Sequence, residues 1–87
     1  MNVSDILNSL GQIANGGSEA ADIAQEATMI TNQFKANQLS QSEYQELISD
    51  LQTEKLILVQ ANQLDLKEEL DALFSAIVSA SSILPKL

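Results

Sequence analysis

The chain has 87 residues, of which 45% are hydrophobic and only 3% aromatic, so it holds one small domain at most, with an apolar content made almost wholly of Leu, Ile, Val and Ala. Twelve acidic residues against four lysines give a formal net charge of −8, which argues against nucleic acids and anionic membrane surfaces as partners. Cys, His and Arg are absent, which excludes disulfides and thiolate sites and removes the usual nucleophiles and acid–base groups, so we expect no catalysis, no cofactor and no metal.

Strong helix breakers stand only near the two ends of the sequence. The three glycines precede residue 18, and the one proline is Pro85. The stretch between them is free of strong breakers, which is typical of helices. We predict an all-α fold, a small helical bundle or helical hairpin of three to four helices with heptad-like seams. Residues 1–17 are expected to form a short N-terminal helix and glycine turn, and residues 18–87 the bundle or hairpin domain.

The first helix is predicted to begin at Ser4 as N-cap, with Asp5 placed favourably at the positive end of the helix dipole. The Asn15–Gly17 segment ends it. A helix of about ten residues is not stable alone in water, so it must dock on the rest of the chain. Its apolar residues recur at helical spacing: Ile6, Leu7, Leu10 and Ile13.

The second helix is predicted to begin at Ser18, with Glu19 and Asp22 in its first turn. Its apolar residues alternate at spacings of three and four, as in a heptad seam: Ala20, Ile23, Ala27, Ile30 and Phe34. Because the residues at the start of this seam are small, we expect another helix to approach closely there.

The third helix opens with a capping box formed by Ser40 and Glu43, which follows the hydrophobic Leu39. We expect the Tyr44 ring to lie in the core with its hydroxyl at the rim. The predicted apolar seam continues along this helix through Tyr44, Leu47, Leu51 and Leu58. Glu54 occupies the seam position between the last two, and Ile48 and Val59 lie beside the seam and widen it.

The opening of the third helix is repeated further along the chain. Residues 36–40 read Ala-Asn-Gln-Leu-Ser and residues 61–65 read Ala-Asn-Gln-Leu-Asp, and Glu68 matches the earlier glutamate. Either Asp65 caps a fourth helix, or one unbroken helix runs from 41 to 84, since nothing in this repeat must break a helix. We favour a break or bend.

Two segments, 56–59 and 73–84, carry more apolar residues than one helix face can bury. Leaving several of these side chains in water would cost a few kcal/mol, which rivals the net stability of a small domain. We therefore predict that they form an interface with another chain, although a compact four-helix fold would also cover them. The predicted interface residues are Leu56, Ile57, Val59, Leu70, Leu73, Phe74, Ile77, Val78 and Leu84.

Three acidic residues, Glu46, Asp50 and Glu54, are spaced four apart and would line one strip of the third helix. Like charges at this spacing destabilise an isolated helix slightly. The strip has two interpretations, a solvated outer face or a docking strip for a basic partner. We favour the solvated face.

Residues 39–51 resemble the helix opening x-I-[ST]-x-x-E-[YF]-x-x-L-x-x-L of bacterial SHOCT-type oligomerisation modules. They are also similar to small helical proteins encoded among the virion genes of tailed bacteriophages. SHOCT segments usually carry a glycine before the turn, where this chain has Gln38. The resemblance implies a structural or assembly role in a phage particle and brings no catalytic residue. The matching residues are Leu39, Ser40, Glu43, Tyr44, Leu47 and Leu51.

The leading hypothesis is a non-catalytic structural or assembly protein that packs through apolar helix faces with itself or with a larger protein. The alternative is an acidic helical binding module, inhibitor or chaperone-like adaptor that docks a basic or helical partner. The longest mostly apolar stretch, 72–84, is shorter than the roughly 20 residues of a transmembrane helix. No signal peptide is recognisable, so we expect a cytoplasmic or virion-associated protein.

Overall fold

The computed structural model of the chain describes residues 2–16, 19–59 and 63–83, and these residues fold into four α-helices without a strand. A π turn, Leu51–Lys55, and a 3-10 turn, Leu56–Leu58, continue the third helix toward the fourth. The predicted all-α fold is confirmed. The helices are α1 (Val3–Ala14), α2 (Glu19–Lys35), α3 (Gln41–Asp50) and α4 (Leu64–Ser79).

One hydrophobic core joins all four helices. The short α1 docks along α2, and the small α2 residues Ala20, Ala24 and Ala27 are fully buried. The largest fully buried side chains come from α1, α3, the 3-10 turn and α4: Ile6, Leu10, Tyr44, Ile48, Leu56, Leu70, Phe74 and Ile77.

The helix α1 begins earlier than predicted. Asn2, not Ser4, is the N-cap, and its side-chain oxygen accepts a hydrogen bond from the Asp5 backbone N–H at 3.0 Å. The earlier start brings Val3 into the core, where it is fully buried. The helix ends at Ala14, as the glycine signal predicted.

Both ends of α2 are closed by contacts that its own sequence pattern does not reveal. The predicted N-cap, Ser18, lies outside the described residues, and the backbone N–H of Ala20 donates to Oε1 of Gln63 at 3.1 Å. At the other end Asn37 adopts a left-handed conformation with φ of 62°. The N–H of Gln38 donates to the Gln33 carbonyl at 2.9 Å, which completes a Schellman-type cap.

The predicted capping box at the start of α3 is confirmed. The Glu43 N–H donates to the Ser40 hydroxyl at 3.1 Å, and the Ser40 N–H donates to the Glu43 carboxylate at 2.9 Å. These hydrogen bonds favour the charged carboxylate, so they lower the pKa of Glu43. The cap fixes where α3 begins and therefore which of its faces meets the core.

Tyr44 is buried together with its hydroxyl, so the prediction that the hydroxyl lies at the rim is wrong. Its ring stacks on Phe34 with centroids 4.7 Å apart. The Thr31 hydroxyl donates to the Ala27 carbonyl at 2.7 Å, so the Tyr44 hydroxyl, 2.8 Å away, donates to Thr31. Burial raises the pKa of Tyr44, and a hydrogen bond donated by the Thr31 hydroxyl to the ionised phenolate opposes that rise.

The π turn changes which residues of the third segment face the core. The Leu56 N–H donates to the Leu51 carbonyl, five residues back, so the chain takes one more residue to complete this turn than an α-helix does. The buried positions are therefore Ile48, Leu51 and Leu56. Leu47 and Leu58 were predicted to lie in the core but are 36% and 73% exposed. On α3 the buried face includes Ile48 in place of Leu47, and after the π turn Leu56 is buried in place of Leu58.

The chain breaks before α4, as we favoured. Gln63, not Asp65, occupies the N-cap position, and Asp65 lies in the first turn. Packed antiparallel to α3, α4 is held by glutamine side chains. Gln45 donates to the carbonyls of Ile77 and Ala80 at 3.0 and 2.8 Å, so it caps the C-terminus of α4. Gln41 and Gln52 make further hydrogen bonds across this pair.

Candidate protein-binding surface

The structure divides the nine predicted interface residues into different environments. Five are at most 6% exposed and pack in the core of the chain itself, which corrects their assignment to an interface: Leu56, Val59, Leu70, Phe74 and Ile77. The break after the 3-10 turn folds α4 back on α3 and covers these side chains internally. Leu73 is half-buried, Ile57 and Val78 are exposed, and Leu84 lies outside the described residues.

Among the described leucine, isoleucine and valine side chains, the most exposed belong to the 3-10 turn and to the start of α4. Ile57, Leu58 and Leu64 are 65%, 73% and 51% exposed. We call these three residues the junction patch. Only Ile57 was among the predicted interface residues. The run of four apolar residues at 56–59 was the available signal, because a helical turn cannot direct four successive side chains inward.

A groove of about 360 Å³ lies beside this patch and is lined by two of its residues, Ile57 and Leu64, with the buried Leu56 as part of its floor. We call it the junction groove. Its walls come from the π turn on one side and the first turns of α4 on the other. The remaining lining residues are Gln52, Thr53, Lys67, Glu68 and Asp71.

Polar groups around the junction groove make hydrogen bonds within the chain. The Gln52 amide donates to the Asp71 carboxylate at 2.7 Å, and the Lys67 ammonium donates to the Ile57 carbonyl at 3.4 Å. Thr53 donates its hydroxyl proton to the Ser49 carbonyl at 3.0 Å. Across residues 2–16, 19–59 and 63–83, no buried side-chain nitrogen or oxygen lacks a partner. The groove therefore favours an apolar ligand, because its free surface is mostly aliphatic.

The predicted acidic strip is only partly assembled. Glu46 and Asp50 line a second groove of about 240 Å³ together with Glu43, Leu39 and Leu47. Glu54 does not line this groove, since it lies in the π turn, which places it at a different angle around the helix axis. We call this second groove the acidic groove. Among the residues that the structure describes, the lysine that forms an ion pair is Lys55, and its partner is Glu26 and not a carboxylate of the acidic groove.

The described residues show neither a metal-binding cluster nor a membrane-spanning helix. No three carboxylates converge closely enough to hold a metal ion within these ranges. None of the helices in the described part of the chain has the length and apolarity needed to cross a bilayer. The junction groove, the acidic groove and the junction patch are among the candidate binding surfaces of the described residues.

Comparison of the chain with protein-family models, with curated proteins and with solved structures gives no match. A function therefore has to be argued from the geometry and chemistry of this chain. The junction patch and groove combine exposure, apolar character and a concave shape. They are the strongest candidate for a binding surface.

Proposed function

We propose that the protein is a non-catalytic structural or assembly protein that docks on a different, larger protein through its junction patch and groove. The observation that carries this proposal is the exposure of three large aliphatic side chains, each more than half accessible, beside a groove of about 360 Å³. Ile57 and Leu64 line this groove together, and an exposed apolar surface on a small domain usually marks an interaction site.

The energetics fit a contact of moderate strength. Burying one Leu or Ile side chain completely contributes about 1.5–3 kcal/mol. Ile57, Leu58 and Leu64 already have part of their surface covered, so together they supply several kcal/mol on docking. Association itself costs at least about 4 kcal/mol, so further contacts around the groove must add to the affinity.

The charge of the chain favours a different protein over a second copy. Each copy carries a formal net charge of −8, so self-association brings two strongly acidic bodies together. A partner with a neutral or basic surface avoids that repulsion. The apolar surface is therefore proposed to pack against a different protein and not against a second copy of this chain.

The resemblance of residues 39–51 to phage virion proteins adds an assembly setting to the proposal, but most of its matching residues have structural roles. Ser40 and Glu43 form the α3 cap, and Tyr44 and Leu51 lie in the core. These roles explain how α3 begins. The partner must be sought at the junction patch.

Site-specific photo-crosslinking tests the proposal. A benzophenone amino acid replaces Ile57 or Leu64 in the full chain, expressed in cells of the source organism. Met29 on α2 is the matched control, because it is 66% exposed but does not line the junction groove. We expect both junction positions to give the same adduct with a different protein, and Met29 to give none.

The partner identified from the adduct is then purified and titrated with the wild-type chain and with an Ile57→Asp variant. We expect at least about a tenfold loss of affinity, typical of an apolar contact at the centre of an interface. Absence of adducts from both junction positions, or the same adducts from Met29, contradicts the proposal. Adducts of the chain with itself alone contradict the choice of a different protein.

A further inference from the structure

We infer that the junction groove binds a basic amphipathic helix of the partner, with apolar side chains seated in the groove and lysines or arginines at its rim. This inference rests on the proposed function, since it names the chemistry of the segment that the proposed surface accepts. Three observations support it: the shape of the groove, the hydrogen bonds that its polar groups already make within the chain, and the charge around it.

The groove has the size for a few apolar anchors and not for a whole folded surface. Its volume of about 360 Å³ is a little more than twice that of a cavity that holds one benzene molecule, roughly 150 Å³. The aliphatic side chains of Leu56, Ile57 and Leu64 form its apolar lining. Two side chains one helical turn apart on an incoming helix fill such a groove.

The chemistry of the groove walls favours side-chain docking over backbone pairing. The described residues contain no strand, so they offer no sheet edge to which an extended peptide could add. The Gln52 amide and the Lys67 ammonium already donate to Asp71 and to the Ile57 carbonyl. An incoming helix satisfies its own backbone and needs only an apolar face, which matches what the groove presents.

The charge around the groove favours a basic helix over an acidic one. Residues 50–71 carry six carboxylates against two lysines. One of these lysines, Lys55, is paired with Glu26 at 2.8 Å, and the other, Lys67, bonds the Ile57 carbonyl. At the wall of the groove itself the two carboxylates of Glu68 and Asp71 stand against the one ammonium of Lys67, so the wall is net negative. A helix with Lys or Arg beside its apolar anchors is complementary to this field, whereas an acidic helix is repelled.

Peptide binding to the full-length chain tests the inference, with fluorescence anisotropy as the measurement. The probe is a labelled helix of leucine and lysine, about 18 residues long, with all leucines on one face. One comparison peptide replaces every lysine by glutamate, and another scrambles the leucine–lysine sequence so that no apolar face forms. We expect the leucine–lysine helix to bind at least about tenfold more tightly than either comparison peptide.

Variants of the chain locate the binding site. Leu64→Asp is expected to weaken the leucine–lysine helix at least about tenfold, and Glu68→Lys severalfold. Glu46→Lys is the matched control, since Glu46 is also an exposed helical carboxylate but lines the acidic groove. It should leave the affinity within about twofold, and circular dichroism confirms that each variant is folded.

The outcomes separate the inference from the proposed function. Equal binding of the glutamate helix, with loss in Leu64→Asp, overturns the basic partner and leaves an apolar docking groove. Loss in Glu46→Lys without loss in Glu68→Lys moves the basic helix to the acidic groove and overturns the inference. No binding of the leucine–lysine helix also overturns it, while the crosslinking result at Ile57 decides the proposed function independently.

Discussion

The two halves of the segment between Ser40 and Val59 differ in backbone conformation and in the spacing of their buried residues. Over residues 41–50 the chain is a regular α-helix that opens with a capping box. Over residues 51–58 it becomes a π turn and then a 3-10 turn. The difference lies in the spacing of the residues that reach the core. Tyr44, Ile48 and Leu51 follow α-helical spacing, but the next buried residue, Leu56, is five positions on.

This comparison shows the backbone adapting so that charged residues stay in water. A continued α-helix would turn Glu54 or Lys55 toward the core position after Leu51. Burying an unpaired charge costs far more than one weakened turn of helix. The π turn takes up the extra residue, brings Leu56 inward and leaves Glu54 and Lys55 exposed.

The junction patch is a consequence of the same adjustment. Once Leu56 is directed inward, Ile57 and Leu58 follow on the outer side of the 3-10 turn, and Leu64 begins α4 beside them. Both halves of the segment contribute residues to the core, and the irregular half also carries the candidate binding surface. π turns within helices are frequently found at functional sites.

Deletion of a single residue is expected to have very different effects on stability in the two halves. Deletion of Thr53 removes one residue from the π turn and lets Leu56 follow Leu51 at the α-helical spacing of four. Deletion of Glu46 rotates everything after it by about 100°, which takes Ile48 and Leu51 off the core face. We expect the second deletion to cost about 5 kcal/mol or more and so to unfold the chain. Thermal unfolding followed by circular dichroism measures both.

The Thr53 deletion should retain a cooperative transition, because it keeps the core stripe and removes only an exposed residue whose hydroxyl bonds the Ser49 carbonyl. Equal loss of structure in the two deletions would show that the π turn does not act as an inserted residue. In that case the spacing of Leu51 and Leu56 would need another explanation.

The adjacent residues Leu56 and Ile57 are expected to contribute very differently to the stability of the fold. Leu56 is 1% exposed, so Leu56→Ala removes buried methyl groups and leaves a cavity, at a cost of about 2–5 kcal/mol. Ile57 is 65% exposed, so Ile57→Ala should change stability by no more than about 0.5 kcal/mol. Urea unfolding midpoints of the two variants give the comparison. Similar losses in both would contradict the assignment of Ile57 to the surface.

The parts of the fold that depend on local sequence could be predicted. The end of α1 before the glycines, the small-residue seam of α2 and the Ser40–Glu43 capping box each follow from residues within one or two turns. The all-α class follows from the scarcity of breakers between residue 18 and Pro85. In these cases the spacing of residue types along the chain carries the necessary information.

The candidate surface depended on information that the spacing does not carry. Counting apolar residues could not distinguish Phe74, which is buried, from Leu58, which is exposed, because the difference arises from the π turn and the fold-back of α4. The Tyr44 hydroxyl was misplaced for a similar reason. Its partner, Thr31, is thirteen residues away on α2, and the contact exists only once the helices have packed.

The Thr31–Tyr44 pair tests the regular half of the segment. Thr31→Val leaves the buried Tyr44 hydroxyl without its acceptor, so we expect a loss of about 1–3 kcal/mol. Tyr44→Phe removes that hydroxyl, while Thr31 still donates to the Ala27 carbonyl, so the loss should be about 0.5–1.5 kcal/mol. Urea unfolding at neutral pH measures both, and the reverse order would contradict the assigned direction of the hydrogen bond.

Alkaline pH separates the hydroxyl from the ring. Because burial raises the pKa of Tyr44 above its unfolded value of about 10, the folded state favours the protonated phenol. This contribution is fully present below pH 10 and is lost as the pH rises through the pKa of the folded state. Wild-type chain should therefore lose more stability above pH 10 than Tyr44→Phe, in which the phenol is missing. Since Tyr44 is the single tyrosine, its ultraviolet absorbance reports the same ionisation directly, and parallel pH profiles for the two chains would place the hydroxyl in solvent.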